Sequence, residues 1–392
     1  MLVPLEFLWL PALCVAMFGA WVLVKFVKLS RWSALLLGVI KAAIPFVYFA
    51  YYYDRSWNLV DDVAYFMGAD RLMASGQNPL LSLFTQAGRD QLMAITGGRH
   101  FLYTWWNLLA LYLFGTVYSS PIFLNVATTF VSAALMFKIV RASGCDEKYA
   151  KWLSIFFLLH WDILCWSSFV NLKDTLVLML TVVAVYSGMR FVQTRKIRHA
   201  VILAGVVFAF LWIRFYIPVL LLTCLAAWAV FVAKRFKKIL LMVIALAGVL
   251  IVFPAGAFQT FQQMHKGEWI YGPIQMALSP QPWAIVPEYS FLLIPSICHW
   301  VFFVPGLVAG VWLFRKNPAF RFAAIYLVTV VFFYGLLPDV RGVRERFQVS
   351  WVLAWVQFDF LWFSLRAVLR KRPATARIAM GHHVRRQIAQ KI

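Results

Sequence analysis

The sequence predicts an all-α, polytopic integral membrane protein with about 11 transmembrane helices and further juxtamembrane helices on its outer face. Of the 392 residues, 63% are hydrophobic and only 13% are charged, whereas a soluble domain carries about 25% charged residues. So few charges cannot cover a water-facing surface, and lipid must therefore be the solvent. The net charge of +22 is carried by basic clusters between apolar stretches, which is typical of cytoplasmic loops and not of a nucleic-acid-binding protein.

Eleven stretches are apolar enough to form spans, since a spanning helix needs about 20 mostly apolar residues. They are 5–24, 33–53, 121–140, 151–169, 172–191, 199–213, 217–233, 239–258, 291–313, 320–337 and 347–366. The span 199–213 is short, and the break at 213–217 is equally compatible with a kink. The N-terminus lacks a basic n-region, so we expect the first helix to stay in the protein.

The charge of the loops predicts the orientation. With the N-terminus outside, the inner loops and the segment from Arg366 onward hold 26 of the 37 Lys and Arg residues. An excess of basic residues marks the cytoplasmic side. We therefore predict one transmembrane domain, 1–366, followed by a basic cytoplasmic tail, 367–392. Contact of this tail with anionic lipid is favoured over a specific partner site.

Two outer segments are long, 54–120 and 259–290. The first contains an apolar stretch, 101–117, which we do not count as a span because counting it would place the later basic clusters outside. We expect it to lie in the outer interface, where its aromatic residues suit the headgroup region. The second segment contains four prolines, which argue against a long helix.

Acidic residues concentrate in the first outer segment, where 54–99 holds five of the fifteen Asp and Glu residues. Asp61 and Asp62 lie about two helical turns past a span and precede an amphipathic pattern. A carboxylate at an interface with apolar walls can act as a general base for a hydroxyl. The alternative is that both acids merely stabilise the N-terminus of a helix.

Outer basic residues are fewer but lie close to membrane depth. Lys173 is at the outer end of a predicted helical hairpin, and Arg214 separates two apolar runs. Arg341, Arg344 and Arg346 form a cluster before the last span. Arginine suits a phosphate because its planar fork binds two oxygens at once. The alternative is snorkelling of these side chains to lipid headgroups.

Lys41, Asp162 and Asp359 lie in the interior of predicted spans. The two acids are far from the outer end, so we expect them to pair inside the bundle instead of acting in catalysis. None of the five cysteines has metal-ligand spacing, and we expect neither disulfides nor a cysteine metal site.

The order of these features resembles the class C (GT-C) membrane glycosyltransferases that use polyprenyl-phosphate sugars. Three motifs carry the resemblance: the Asp61-Asp62 pair in DDVAYFMGADRLMASGQNP, the stretch LALYLFGTVYSSPIFLNVATTFVSAALMFKIVRASG, and the late RERFQVSWVLAWVQF. It covers roughly 45–258 and 338–360. The chain departs from the pattern in an extra N-terminal helix, in Ser350 near the place of a frequent proline, and in the lack of a large C-terminal soluble domain.

The resemblance implies an inverting hexosyl- or pentosyltransferase of cell-envelope glycan synthesis, in a membrane such as the bacterial inner membrane. Asp61 or Asp62 would take the proton of an acceptor hydroxyl on a glycan, lipid or protein, and the lipid-linked sugar would be the donor. The candidates for binding the donor phosphate are Arg344, Arg346, Arg341, Arg214 and Lys173. Some members use a divalent metal and others do not. The sequence offers no sufficient ligand cluster, so we predict no cofactor and no obligatory metal.

Three other functions compete with this one. A flippase or transporter of lipid-linked saccharides would explain charges at membrane depth, but such proteins often have two related halves, which this sequence lacks. A polymerase or ligase of surface polysaccharide would also place arginines on outer loops, although it is not expected to need the early Asp pair. In a structural subunit of an envelope assembly, the outer charges would be incidental.

Overall fold

The computed structural model of the chain describes residues 4–53, 61–98, 100–214, 216–232, 268–337 and 342–370. Within these ranges all regular structure is helical and no strand is present. This confirms the all-α prediction for the described part of the chain. Arg341, the predicted span 239–258 and the tail beyond 370 lie outside the described residues.

The helices of the first half follow one another with short connections. They are α1 (Trp9–Val22), α2 (Arg31–Tyr51), α3 (Asp61–Ala74), α4 (Pro79–Phe84), α5 (Gln86–Thr96), α6 (Phe101–Phe114), α7 (Ser120–Ala142), α8 (Glu147–Leu159), α9 (Trp161–Ser168) and α10 (Asp174–Thr194). The later helices are α11 (Ile197–Leu211), α12 (Ile217–Val232), α13 (Glu268–Leu278), α14 (Leu293–Lys316), α15 (Pro318–Gly335), α16 (Val343–Arg346) and α17 (Ser350–Arg370). Short 3-10 or π turns extend several of them: Leu5–Leu8, Leu23–Val27, Pro282–Ala284, Pro287–Leu292 and Phe347–Val349.

Five of the described helical stretches are long and apolar enough to cross a membrane, against eleven predicted spans. They are Leu5–Val27, Arg31–Tyr51, Ser120–Ala142, Asp174–Thr194 and Tyr289–Lys316. Shorter apolar helices occupy Phe101–Phe114, Ile197–Leu211, Ile217–Trp228 and Phe320–Gly335. These helices are consistent with a membrane protein.

The predicted span 151–169 is wrong as a single helix, because the chain breaks at His160. The backbone of this residue is extended, with φ −61° and ψ 131°, and separates α8 from α9. Its ring Nε2 lies 2.8 Å from Oε1 of Gln357 on α17. The window contains no Pro or Gly, so hydropathy gave no signal for a break that coincides with a side-chain contact to a distant helix.

The described part of 54–120, the first segment predicted to be outer, folds into the four helices α3 to α6. Apolar residues of α3, α5 and α6 form a small core of their own, which includes Phe66, Leu92 and Leu108. Asn78 caps α4 by accepting a hydrogen bond from the Leu80 amide at 2.8 Å, and Pro79 occupies the first helical turn, where proline is favoured. This core holds α3, and with it the Asp pair, against the rest of the bundle.

Buried charges inside the bundle have partners. Asp162 pairs with Arg346 at 3.2 Å, and Asp359 accepts a hydrogen bond from Tyr149 at 2.8 Å, which confirms the expected pairing of both acids. Lys41 donates to the Ile163 carbonyl at 3.1 Å and to the Ser167 hydroxyl at 3.0 Å. Polar groups in an apolar medium need such partners, because an unpaired one is costly.

The packing of α1 on α2 depends on a glycine. A Cβ at Gly38 would lie 2.5 Å from the backbone oxygen of Ala16, so only a residue without a side chain allows this close approach. Small residues serve the same purpose in other membrane helix pairs.

We predict that Gly38→Ala destabilises the protein by about 1–3 kcal/mol, because an added methyl forces two helix backbones apart. Gly205→Ala is the matched control, since a Cβ there meets nothing within 4 Å. Its effect should be neutral or stabilising by up to about 1 kcal/mol, because alanine is favoured over glycine inside a helix. Thermal unfolding of the purified variants in detergent measures both, and equal melting temperatures for the two would contradict this account of the α1–α2 contact.

Candidate functional site

A buried carboxylate at the start of α10 holds two arginines from distant parts of the chain. Asp174 Oδ1 accepts a hydrogen bond from Arg214 Nη2 at 2.6 Å, and its Oδ2 accepts one from Arg344 Nε at 3.0 Å. The Asp174 side chain is 0% exposed. Asp174 therefore holds the guanidinium groups of Arg214 and Arg344 beside each other.

Arg344 also reaches the first outer segment, because its Nη2 donates to Asp61 Oδ2 at 2.9 Å. The side chain of Asp61 is 46% exposed and that of Arg344 is 22% exposed. This pair is thus open to solvent on the Asp61 side. We call Asp61, Lys173, Asp174, Arg214 and Arg344 together the Asp174 cluster.

Asp62, the neighbour of Asp61, has a different environment. It is only 3% exposed. Its Oδ2 accepts a hydrogen bond from the Tyr118 hydroxyl at 2.6 Å, and its Oδ1 accepts one from the Val63 amide at 2.6 Å. Both acids lie in the first turn of α3, where the helix dipole favours negative charge. The structure therefore separates the predicted pair into an accessible acid and a buried one.

Lys173 lies beside Asp174 and contacts two groups of the first outer segment. Its Nζ is 2.8 Å from the Tyr65 hydroxyl and 2.9 Å from His100 Nε2. Burial, with a further contribution from Arg214, lowers the pKa of Lys173 to about 7. Burial and then the charge of Lys173 also lower the pKa of His100, so this ring is neutral near pH 7. Lys173 can therefore gain or lose its charge near neutral pH.

A further acid, Glu345, lies close to the Asp174 cluster. Glu345 follows Arg344 in α16, and burial together with the charge of Asp174 raises its pKa to about 6. Above that pH the carboxylate adds one negative charge near Arg344.

Tyrosines surround the far side of Arg214. Its Nη1 donates to the hydroxyl of Tyr334 at 2.7 Å and to that of Tyr216 at 3.1 Å. The Gln348 amide donates to the Tyr334 hydroxyl at 2.9 Å. Arg214 is buried and 6% exposed, so it reaches solvent less readily than Arg344 does.

Arg346 belongs to a separate, fully buried cluster. Its Nη2 lies 3.2 Å from Asp162 Oδ1, and its Nη1 donates to the Ser279 carbonyl. The side chains of Arg346 and Asp162 are each 1% exposed. Arg344 and Arg346, two residues apart in the sequence, thus bind different acids, and the structure does not bring Arg346 into contact with the Asp174 cluster.

A network of amide side chains holds the backbone of Asp62. Asn171 Nδ2 donates to the Asp62 carbonyl at 3.0 Å and to Asn107 Oδ1 at 2.6 Å. Its Oδ1 accepts from the Tyr103 hydroxyl at 2.8 Å, which in turn accepts from Asn125 Nδ2 at 2.9 Å. These bonds link α3, α6 and α7 to the loop that ends at Asp174.

Sequence reasoning identified Asp61, Lys173, Arg214 and Arg344 but missed the group that joins them. Asp174 stands next to Lys173 in NLKD, and an acid beside a base at the end of a span was the available signal. Tyr65 and His100 carried no such signal, because aromatic residues are frequent in this chain. His100 does adopt a left-handed backbone with φ 58°, a conformation uncommon outside glycine.

The described residues include no group of three or more His, Cys, Asp or Glu that could hold a metal ion. Comparison of the chain with protein-family models, with curated proteins and with solved structures found no match in any of the three. An accessible carboxylate beside a guanidinium and an ionisable lysine suits proton acceptance and anion binding.

We predict that Asp174→Asn destabilises the protein strongly, by about 3–5 kcal/mol, because it leaves two partly or fully buried arginines without their shared acid. Asp61→Asn should cost less than about 1 kcal/mol, since its ion pair is solvent-exposed. Unfolding in detergent, followed by circular dichroism, compares the two directly. A larger loss for Asp61→Asn than for Asp174→Asn would refute the assigned roles.

Proposed function

We propose that the protein is a membrane glycosyltransferase that moves a sugar from a polyprenyl-phosphate donor to an acceptor hydroxyl on the outer side of the membrane. The contact between Asp61 and Arg344 carries the proposal, because it joins a potential base and a potential phosphate ligand from segments 283 residues apart in the sequence. A base and a phosphate-binding cation side by side are what such a transfer requires.

The reaction exchanges one bond at the anomeric carbon and moves one proton. The acceptor oxygen attacks the anomeric carbon of the sugar, and its proton passes to a carboxylate of the enzyme. The bond between the anomeric carbon and the phosphate oxygen breaks, and the electron pair leaves with the prenyl phosphate. The sugar passes through an oxocarbenium-like state, and attack opposite the phosphate inverts the anomeric configuration.

Asp61 is the better candidate for the base. A base must come within hydrogen-bond reach of the acceptor hydroxyl, and the Asp61 side chain is nearly half exposed. Asp62 is buried, and both of its carboxylate oxygens already accept hydrogen bonds. We assign Asp62 the role of orienting the first turn of α3.

Arg344 is the principal candidate for the leaving phosphate, with Lys173 beside it. Fixed cations that face developing charge lower the barrier, because they need no reorganisation during the reaction. Arg214 acts from behind by sharing Asp174 with Arg344. Arg346, paired with Asp162, is better suited to anchoring α16 than to binding a ligand. Arg341 lies outside the described residues, so its role in binding the phosphate stays a prediction.

The membrane arrangement belongs to the same proposal. The predicted spans, with 151–169 divided between α8 and α9 and with the N-terminus outside, would put the Asp174 cluster at the outer end of α10, within reach of a donor lipid in the outer leaflet. The five long apolar helices support a membrane location, and the acceptor is a glycan, lipid or protein of the cell envelope.

We predict that Asp61→Asn lowers turnover by about 10²–10⁴-fold, because proton transfer by a positioned base contributes that much. Asp70→Asn, on the same helix, is the matched control and should retain near-normal transfer. Asp62→Asn should lower the melting temperature more than the turnover of the folded enzyme. Transfer from a radiolabelled lipid-linked sugar by purified variants provides the measurement, and near-normal turnover of Asp61→Asn would reject Asp61 as the base.

The low pKa of Lys173 predicts a pH dependence of donor binding. The ammonium form binds an anion and the neutral amine does not, so binding should weaken as the pH rises past about 7. Between pH 7 and 8.5 the loss should exceed about tenfold, in proportion to the protonated fraction. Glu345, with a pKa of about 6, stays ionised throughout this range and does not contribute.

The probe for this measurement is geranyl methyl phosphate, a diester whose own charge is constant over the range. Lys173→Arg keeps a permanent charge and should bind the probe equally at pH 7 and pH 8.5. If the wild type also shows no change, Lys173 does not contact the phosphate.

A further inference from the structure

The ion pair between Asp61 and Arg344 raises a question about the order of events, because the proposed base is held by the proposed phosphate ligand. We propose that Asp61 occupies the place on Arg344 Nη2 that the phosphate of the sugar donor takes when it binds. Binding of the sugar donor then moves the hydrogen bond of Nη2 from Asp61 to the phosphate. The carboxylate oxygen of the base that faces Arg344 is then released only when the donor is present. This inference rests on the proposed function and adds a regulatory step at the same site.

The two acids on Arg344 differ in how firmly they are held. Asp174 binds Nε at 3.0 Å, is 0% exposed, and is held at its other oxygen by Arg214. Asp61 binds Nη2 at 2.9 Å and is 46% exposed. A buried ion pair is hard to break, whereas an exposed one contributes little and exchanges readily. Asp174 therefore keeps Arg344 in position while Asp61 can leave.

A phosphate is a suitable replacement for the Asp61 carboxylate. Both are anions with oxygens that accept from a guanidinium. Lys173 lies within electrostatic reach of Arg344 and of Asp61, since the charges of both act on its pKa. A phosphate held by Arg344 is therefore also attracted by protonated Lys173.

The exchange has a chemical consequence. While Asp61 Oδ2 accepts from Arg344, that oxygen has one lone pair fewer for a hydroxyl and the carboxylate is held in one orientation. After the exchange it can accept the acceptor's proton, at the moment when the sugar to be attacked is in place. The donor should therefore bind before the acceptor becomes activated.

The test measures binding of geranyl methyl phosphate to the full-length purified protein at pH 7.5, without any acceptor. Asp61→Asn removes the competing carboxylate and should bind the probe about tenfold more tightly, within the range of roughly 5–150-fold seen for coupled sites. Asp61→Ala serves as a second variant in case the asparagine amide makes new contacts. Arg344→Gln should lose binding whether or not Asp61 is present.

Glu345→Gln is the matched charge control. It removes one negative charge near Arg344, because Glu345 is ionised at pH 7.5, yet Glu345 is not a partner of Arg344 among the described contacts. It should change the affinity by less than about threefold. If Asp61→Asn and Glu345→Gln tighten binding equally, only the general field matters and the exchange is overturned. Unchanged or weaker binding by both Asp61 variants also overturns it.

Failure of this inference and failure of the proposed function give different results. If Asp61→Asn is inactive but binds the probe as the wild type does, the base assignment stands and the exchange is wrong. If Asp61→Asn binds more tightly but transfers sugar normally, the competition for Arg344 stands and the base assignment is wrong.

Discussion

The candidate site depends on one fully buried carboxylate. Asp174 holds Arg214 with one oxygen and Arg344 with the other, so it sets the distance between two groups that would otherwise repel each other. A buried acid with two basic partners keeps its charge, because the attraction compensates for the lost hydration. Lys173 precedes Asp174 in the sequence, Glu345 follows Arg344, and Asp61 accepts a hydrogen bond from Arg344. The positions of these three residues therefore follow from the contacts that Asp174 makes.

Helix geometry explains why close sequence neighbours at the site have different surroundings. Arg344 faces Asp174, and Arg346 faces Asp162 one helical half-turn away. Asp61 faces solvent and Arg344, and Asp62 faces Tyr118. In both pairs the helical backbone points side chains that are one or two residues apart in different directions. A site built at helix ends can therefore use one residue for chemistry and its neighbour for support.

The sequence predicted the helical class, and five of its spans coincide with long helices, because apolar length is a local property that composition reveals. It also identified Asp61 as an acid of the first long segment predicted to be outer, and Lys173, Arg214 and Arg344 as basic residues predicted close to membrane depth. It could not identify their partners: the Arg344–Asp61 contact joins residues 283 positions apart, and periodicity says which face is buried but not what it meets. The break at His160 was not predicted for the same reason, since it coincides with a nonlocal contact to Gln357.

The sequence separation of the partners also orders the assembly of the site during synthesis. Asp174 and Arg214 are 40 residues apart, while Arg344 lies 170 residues after Asp174. The first pair can form while the ribosome is still making the chain, and it supplies Asp174 with one counter-charge as soon as α12 emerges. Arg344 is synthesised much later than this pair, so the cluster stays incomplete until α16 has emerged. A nascent chain that ends before α16 can therefore pair Asp174 with Arg214 but not with Arg344.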